Sequence, residues 1–220
     1  MPVVLVTDVL VWLLVAAGAG YIVYCRRHAH LAGPWSRVFR SPAALASLVV
    51  LGAYVMLGLL DSLHFRPALE QKADAPSAYA SEVLSALDLG LAQLRGRSEK
   101  TYSAPLATRS YAKELIEQPD GRQLRDFPHL RFGGAHLENE DEWAGDVAKR
   151  ALGGLAVSVL LFFVVLSCAK ILKKKRPDIP WQAAGISLGA LLLLAGPAAA
   201  LSSAYHVLGT DKVGQDVLYL

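Results

Sequence analysis

The sequence predicts an all-α polytopic membrane protein: four transmembrane helices, with a mostly helical extracytoplasmic domain between the second and third. Three observations carry this prediction. Four apolar runs each approach the ~20 residues that cross a bilayer. Two basic clusters are separated by two of those runs. Nearly all the remaining polar sequence is gathered in residues 61–150. The chain as a whole has 220 residues, 54% of them hydrophobic, and a mean hydropathy of +0.36. That is too apolar for an ordinary soluble domain. The net charge of +3 decides little, because the charge is unevenly distributed. Nucleic-acid motifs and a long basic surface with interleaved aromatics are both lacking, so nucleic acid is not an expected partner.

The first two runs cover residues 1–60, at about 3–24 and 43–60, with a basic loop between them. The third and fourth lie in residues 151–204, at about 151–172 and 183–204, again with a basic loop. Backbone groups in lipid must bond within their own segment, so each run reads as a helix. Pro197 is a candidate kink in the fourth. The first run lacks a basic start, and Arg26 and Arg27 follow it rather than precede it. A retained helix therefore explains it better than a cleaved signal peptide.

Charge orients these spans. Arg26, Arg27, Arg37 and Arg40 lie between the first two; Lys173, Lys174, Lys175 and Arg176, with Lys170 nearby, lie between the last two. Basic residues near span ends favour the cytoplasm. Both clusters reach that side only if the N-terminus, residues 61–150 and residues 205–220 are extracytoplasmic. Cys25 and Cys168 then lie near the reducing cytoplasmic face, so a disulfide is not expected. Asp8 is placed near the outer end of the first span, within reach of the interface by snorkelling.

Residues 61–150 hold 12 Lys and Arg against 15 Asp and Glu. A helix is expected from Ala78 to Leu94, because Tyr79, Val83, Leu84, Leu87, Leu91 and Leu94 recur every three or four residues. Ser77 is its expected cap and Gly96 its stop. A second short helix is expected from Arg109 to Gln118, a turn at Pro119-Asp120-Gly121, and a short strand and turn from Asp126 to His136. Glu138, Glu140, Asp141 and Glu142 form an acidic patch, read as a solvated face, and Trp143 reads as an interfacial anchor. Either a docking or gating domain or a solvated cap on the helices fits this composition.

Familiar reaction chemistry is missing from the sequence. No Walker loop, Gly-x-Ser-x-Gly elbow or His-Glu-x-x-His motif occurs. His28-x-His30 lacks the further ligands a metal site needs. The acidic patch lacks the ordered ligands and glycine of an EF-hand. No catalytic residue, metal or cofactor is therefore assigned to this chain.

Residues 205–220 are the most specific part of the chain. His206-Val207-Leu208-Gly209-Thr210-Asp211-Lys212-Val213-Gly214-Gln215-Asp216-Val217 resembles a segment of the dipeptide/oligopeptide-type ABC importer permeases. In that family the run lies outside the cytoplasm, just before the permease core. Gln215 departs from the family's usual Arg. Pro34 to Pro42 also looks like the family's basic lead-in to its first helix, which makes the second span the counterpart of that helix and leaves the other spans as additions. The resemblance implies a membrane-spanning importer subunit in the bacterial inner membrane. It also implies a second permease subunit, cytoplasmic ATPase subunits carrying the ATP, and an extracytoplasmic solute-binding protein. It gives His206, Leu208, Gly209, Thr210, Asp211, Gly214 and Asp216 a positional role. The chain is then expected to be an N-terminal fragment whose core lies beyond Leu220. The alternative is a membrane-anchored sensor or scaffold whose residues 61–150 bind an external ligand or partner. A membrane-embedded enzyme is weaker, because no paired catalytic groups are evident.

Overall fold

A computed structural model describes residues 1–68, 79–117 and 123–219. It is mostly helical, at 60% helix, with four helices long and apolar enough to span a membrane. The chain divides into two units: residues 1–90 with 165–188, and residues 91–164 with 189–220.

In the first unit, strand β1 (Pro2–Val3) precedes helix α1 (Val6–Arg27). The first span thus starts at Val6 rather than Val3, because Pro2 and Val3 pair antiparallel with β2 (His64–Phe65). Asp8 sets the helix start: its Oδ2 accepts the Leu5 N–H at 2.8 Å, taking one of the donors a helix N-terminus leaves free. Asp8 is 4% exposed and also meets His64 Nδ1 at 3.0 Å. It does not snorkel; it is a buried cap. Helix α2 (Ala29–Arg40) follows within what was expected to be a basic loop. Its apolar Leu31, Trp35 and Val38 recur at helical spacing, while His30, Arg37 and Arg40 share the opposite side. Helix α3 (Pro42–Asp61) has proline at its first position, where no N–H is needed. Strand β3 (Leu84–Ser85) completes a three-stranded antiparallel sheet in the order β1-β2-β3.

The expected helix from Ala78 to Leu94 is a correction. Residues 84–85 are strand β3, and helix is confined to α4 (Ala86–Gly90) and, in the second unit, α5 (Ala92–Arg95). The working cap is Ser85: its Oγ accepts from Asp88 N–H at 3.1 Å, and Asp88 accepts from Ser85 N–H at 2.8 Å. Ser77 lies outside the described residues. Gly96 does end α5, as expected.

A second correction concerns Arg109 to Gln118. Arg109 bridges His129, and Glu114–Glu117 is strand β4, paired antiparallel with β5 (Gln123–Asp126). Leu115 and Ile116, the two large aliphatic residues of that stretch, are adjacent and give only a narrow helical face to bury, whereas a hairpin pairs its backbone groups directly. The expected turn at Pro119-Asp120-Gly121 lies outside the described residues. The described residues of 61–142 are thus loops and short strands with brief helices, so the expectation of a mostly helical segment there is corrected, while the chain remains mostly helical with short strands added.

A single 3₁₀ turn (Glu140–Glu142) places the acidic patch at the start of helix α6 (Trp143–Lys175), where negative charge is favoured. At 33 residues α6 is about 50 Å long, well beyond a ~30 Å hydrocarbon core. Its first two turns therefore project past the apolar run that begins at Ala151. Trp143 sits in that projection and donates to Leu106 O at 2.8 Å, which ties down a loop. Helix α7 (Trp181–Ser202) runs through Pro197 and ends two residues before the expected Ala204. In the second unit α6 and α7 meet through small residues. A methyl group on Gly154 would lie 2.6 Å from Gly196 O, and one on Gly196 would collide with Ser158.

Candidate functional site

Most of the residues singled out after the fourth span, His206, Gly209, Thr210, Gly214 and Asp216, form one packed cradle in the second unit. Arg97 begins it by donating to Ser202 O and Ser203 O, the free carbonyls at the end of α7. Tyr205, 1% exposed, then turns its hydroxyl to Asp146, which also takes Arg150 Nε at 2.7 Å and meets His136 at 2.8 Å.

His206 is the centre of the cradle. Its side chain is 1% exposed, with Nδ1 2.7 Å from Asp216 Oδ2 and Nε2 3.3 Å from Glu99 Oε1. Glu99 accepts further bonds from the backbone N–H groups of Arg131, Phe132 and Gly133. Asp216 Oδ1 accepts Leu218 N–H. Burial by itself pushes the His206 pKa down; the hydrogen bonds and charges of Asp216 and Glu99 outweigh it and raise it to about 9. Burial likewise raises Glu99, but the His206 bond and the three backbone donors bring it down to about 2. His206 is thus a buried imidazolium donating from both nitrogens. In that state it clamps two stretches of chain about a hundred residues apart.

Two glycines make the close approach possible. Gly209 (φ +80°) and Gly214 (φ +84°) both have left-handed backbone, which side chains resist. A methyl group on Gly209 would collide with Ser103 O, and one on Gly214 with Glu99 O. Thr210 donates its hydroxyl to Thr101 O at 2.9 Å and lies 3.1 Å from Ser103 Oγ, with bridges to Ser103 and Asp216. Asp211 Oδ1 accepts the N–H groups of Val213 and Gln215, closing a local turn. Gln215 meets Asp211 through its backbone, and its side chain is exposed. Leu208 stands apart: it is 53% exposed and makes no part of the cradle.

Sequence reasoning missed Glu99, Ser103 and Arg97. They sit in a polar stretch without periodicity, and only the tertiary fold brings them to His206, Thr210 and the α7 terminus. The topology residues fall at helix ends of the first unit. Arg26 and Arg27 close α1, Arg37 and Arg40 close α2, and Lys173, Lys174 and Lys175 close α6, with Arg176 just beyond. Positive charge is favoured at those ends independently of membrane side. Cys25 and Cys168 are both free. No cluster of His, Cys, Asp and Glu suited to a metal occurs among the described residues.

No protein-family model matches the chain, and no curated protein or solved structure is matched by it.

Proposed function

We propose that this chain is part of the membrane-spanning permease of an ATP-driven importer for peptides or similar solutes. The observation that carries the proposal is the cradle itself. Within the string that resembles the family, His206, Gly209, Thr210 and Gly214 meet the segment 99–103, and Asp216 holds His206 from the other side. Such a string holds the lead-in to a transport pathway in fixed register against the domain between the second and third spans. In this reading residues 61–150, 205–220 and the N-terminus are extracytoplasmic in a bacterial inner membrane. ATP is hydrolysed on separate cytoplasmic subunits. A second permease subunit completes the pathway, and an extracytoplasmic solute-binding protein delivers the solute.

The test is purification of a tagged chain from its native membranes in mild detergent. The reading expects an ATPase and a second polytopic subunit in the complex, with magnesium-ATP hydrolysis stimulated by peptide-loaded binding protein. A chain that purifies without ATP-hydrolysing subunits contradicts it.

One observation favours a membrane-anchored sensor instead. A cleft of about 390 Å³ is lined by residues of both charge signs, among them Lys100, Glu114, His129 and Arg131. Saturable peptide binding to the isolated chain, with no ATPase partner, would support that second reading.

A further inference from the structure

A second cavity, in the first unit, has the chemistry of a lipid site. It measures about 640 Å³ and lies where α1 ends, walled by α2, the first half of α3 and Arg176 just beyond α6. Its wall is aromatic. Tyr21 and Trp35 meet edge to face with ring centroids 6.4 Å apart, and Trp35 lies 6.4 Å from Phe39. Ile22 and Leu48 extend the apolar lining. Arg26 and Arg176 complete the lining. Both arginines are exposed and neither has an acidic partner among the described residues, in contrast to Arg40, which pairs with Asp178 at 3.4 Å.

The position matters as much as the lining. The apolar run of α1 ends at Tyr24 and Cys25, so Arg26 sits at the boundary between hydrocarbon and water. Helix α2 has no buried residue, and its basic, amphipathic pattern suits an interfacial helix. Two guanidinium groups with no acidic partner among the described residues match a phosphate at such a boundary, and the aromatic wall matches an acyl chain. We propose that this cavity binds one anionic phospholipid, its phosphate held by Arg26 and Arg176 and an acyl chain laid along Tyr21, Trp35 and Phe39. The proposal rests on the four apolar helices and not on the transport reading.

The test uses the full chain in vesicles of zwitterionic phosphatidylcholine, to which phosphatidylglycerol with brominated acyl chains is added. Bromine quenches tryptophan on contact, and the Trp35 signal is isolated by subtracting the Trp35→Phe variant. Quenching of Trp35 by brominated phosphatidylglycerol is expected to exceed that by brominated phosphatidylcholine, with roughly tenfold tighter apparent binding. Arg26→Gln/Arg176→Gln should remove that preference, while Lys173→Gln/Lys174→Gln, which loses the same charge, should keep most of it. Equal quenching by the two lipids overturns the proposal. So does an equal loss in both double variants, which would mean a diffuse surface charge. Inorganic phosphate is titrated separately: if it changes Trp35 fluorescence saturably while the lipid preference is absent, the arginines hold free phosphate and the lipid assignment fails.

Discussion

Raising the pH should open the cradle, by an amount fixed by His206. Its folded-state pKa of about 9 lies above the ordinary 6.5 because the carboxylates of Asp216 and Glu99 hold the proton on. The bound proton therefore stabilises the folded form fully below pH 6.5, and that stabilisation is lost as pH rises through 9. At ~1.4 kcal/mol per pH unit the loss is about 3 kcal/mol, or roughly a hundredfold in the local opening equilibrium. Unfolding of a whole membrane protein is not a clean two-state event, so the readout is hydrogen exchange of amides that cross the cradle. Three serve: Glu99 N–H to Gly214 O at 2.8 Å, Leu106 N–H to His206 O at 2.9 Å, and Val217 N–H to Gly209 O at 3.1 Å. After correction for intrinsic exchange, their protection should fall about a hundredfold between pH 6.5 and 9.5, and amides in mid-α6 should not follow. Protection that stays flat over that range refutes the ion-pair account. So does a fall of equal size in His206→Gln, which has no proton to lose.

The remaining predictions use the same cradle and the same spans. His206→Gln leaves Glu99 and Asp216 buried without their cation, and should cost about 3–5 kcal/mol of local stability at pH 6.5 by hydrogen exchange. Gly214→Ala must hold φ +84° and meet Glu99 O, so protection at Glu99 N–H should drop by at least about 1–2 kcal/mol. Gln215→Ala should change it by less than about 0.5 kcal/mol. Arg97→Ala frees two carbonyls at the end of α7 and should lower protection around Ser202 to Tyr205 by about 1 kcal/mol. In a chain without Cys25 and Cys168, Lys212→Cys should react with a membrane-impermeant maleimide on intact cells, and Lys174→Cys only after the membrane is opened; the reverse pattern would invert the proposed orientation.

The four long helices were legible because membrane-length apolar runs leave few alternatives. Their ends were less so. The start of α1 depends on Pro2 and Val3 finding His64 and Phe65, a pairing across sixty residues that no local pattern announces. Ser85-x-x-Asp88 was a capping signal available in the sequence, but the stronger three-and-four spacing from Tyr79 to Leu94 masked it. Arg109 to Gln118 misled because short polar stretches carry little periodicity, and strand pairing is a tertiary matter. In the cradle, Gly209, Thr210, Gly214 and the His206–Asp216 pair came from one contiguous string. Glu99, which brings a second carboxylate to His206, is remote in sequence and was invisible for that reason. Helix α2 was hidden by Pro34 and its basic residues, although its apolar spacing was present throughout.

The most direct test of the transport reading is peptide uptake. Cells lacking the gene are given labelled di- and oligopeptides, and uptake is compared with cells that carry the wild-type gene or its Gly214→Ala form. The account predicts ATP-dependent uptake that is lost on deletion, restored by the wild type, and impaired by Gly214→Ala. Uptake unchanged by deletion, across peptides of two to about six residues, would contradict it.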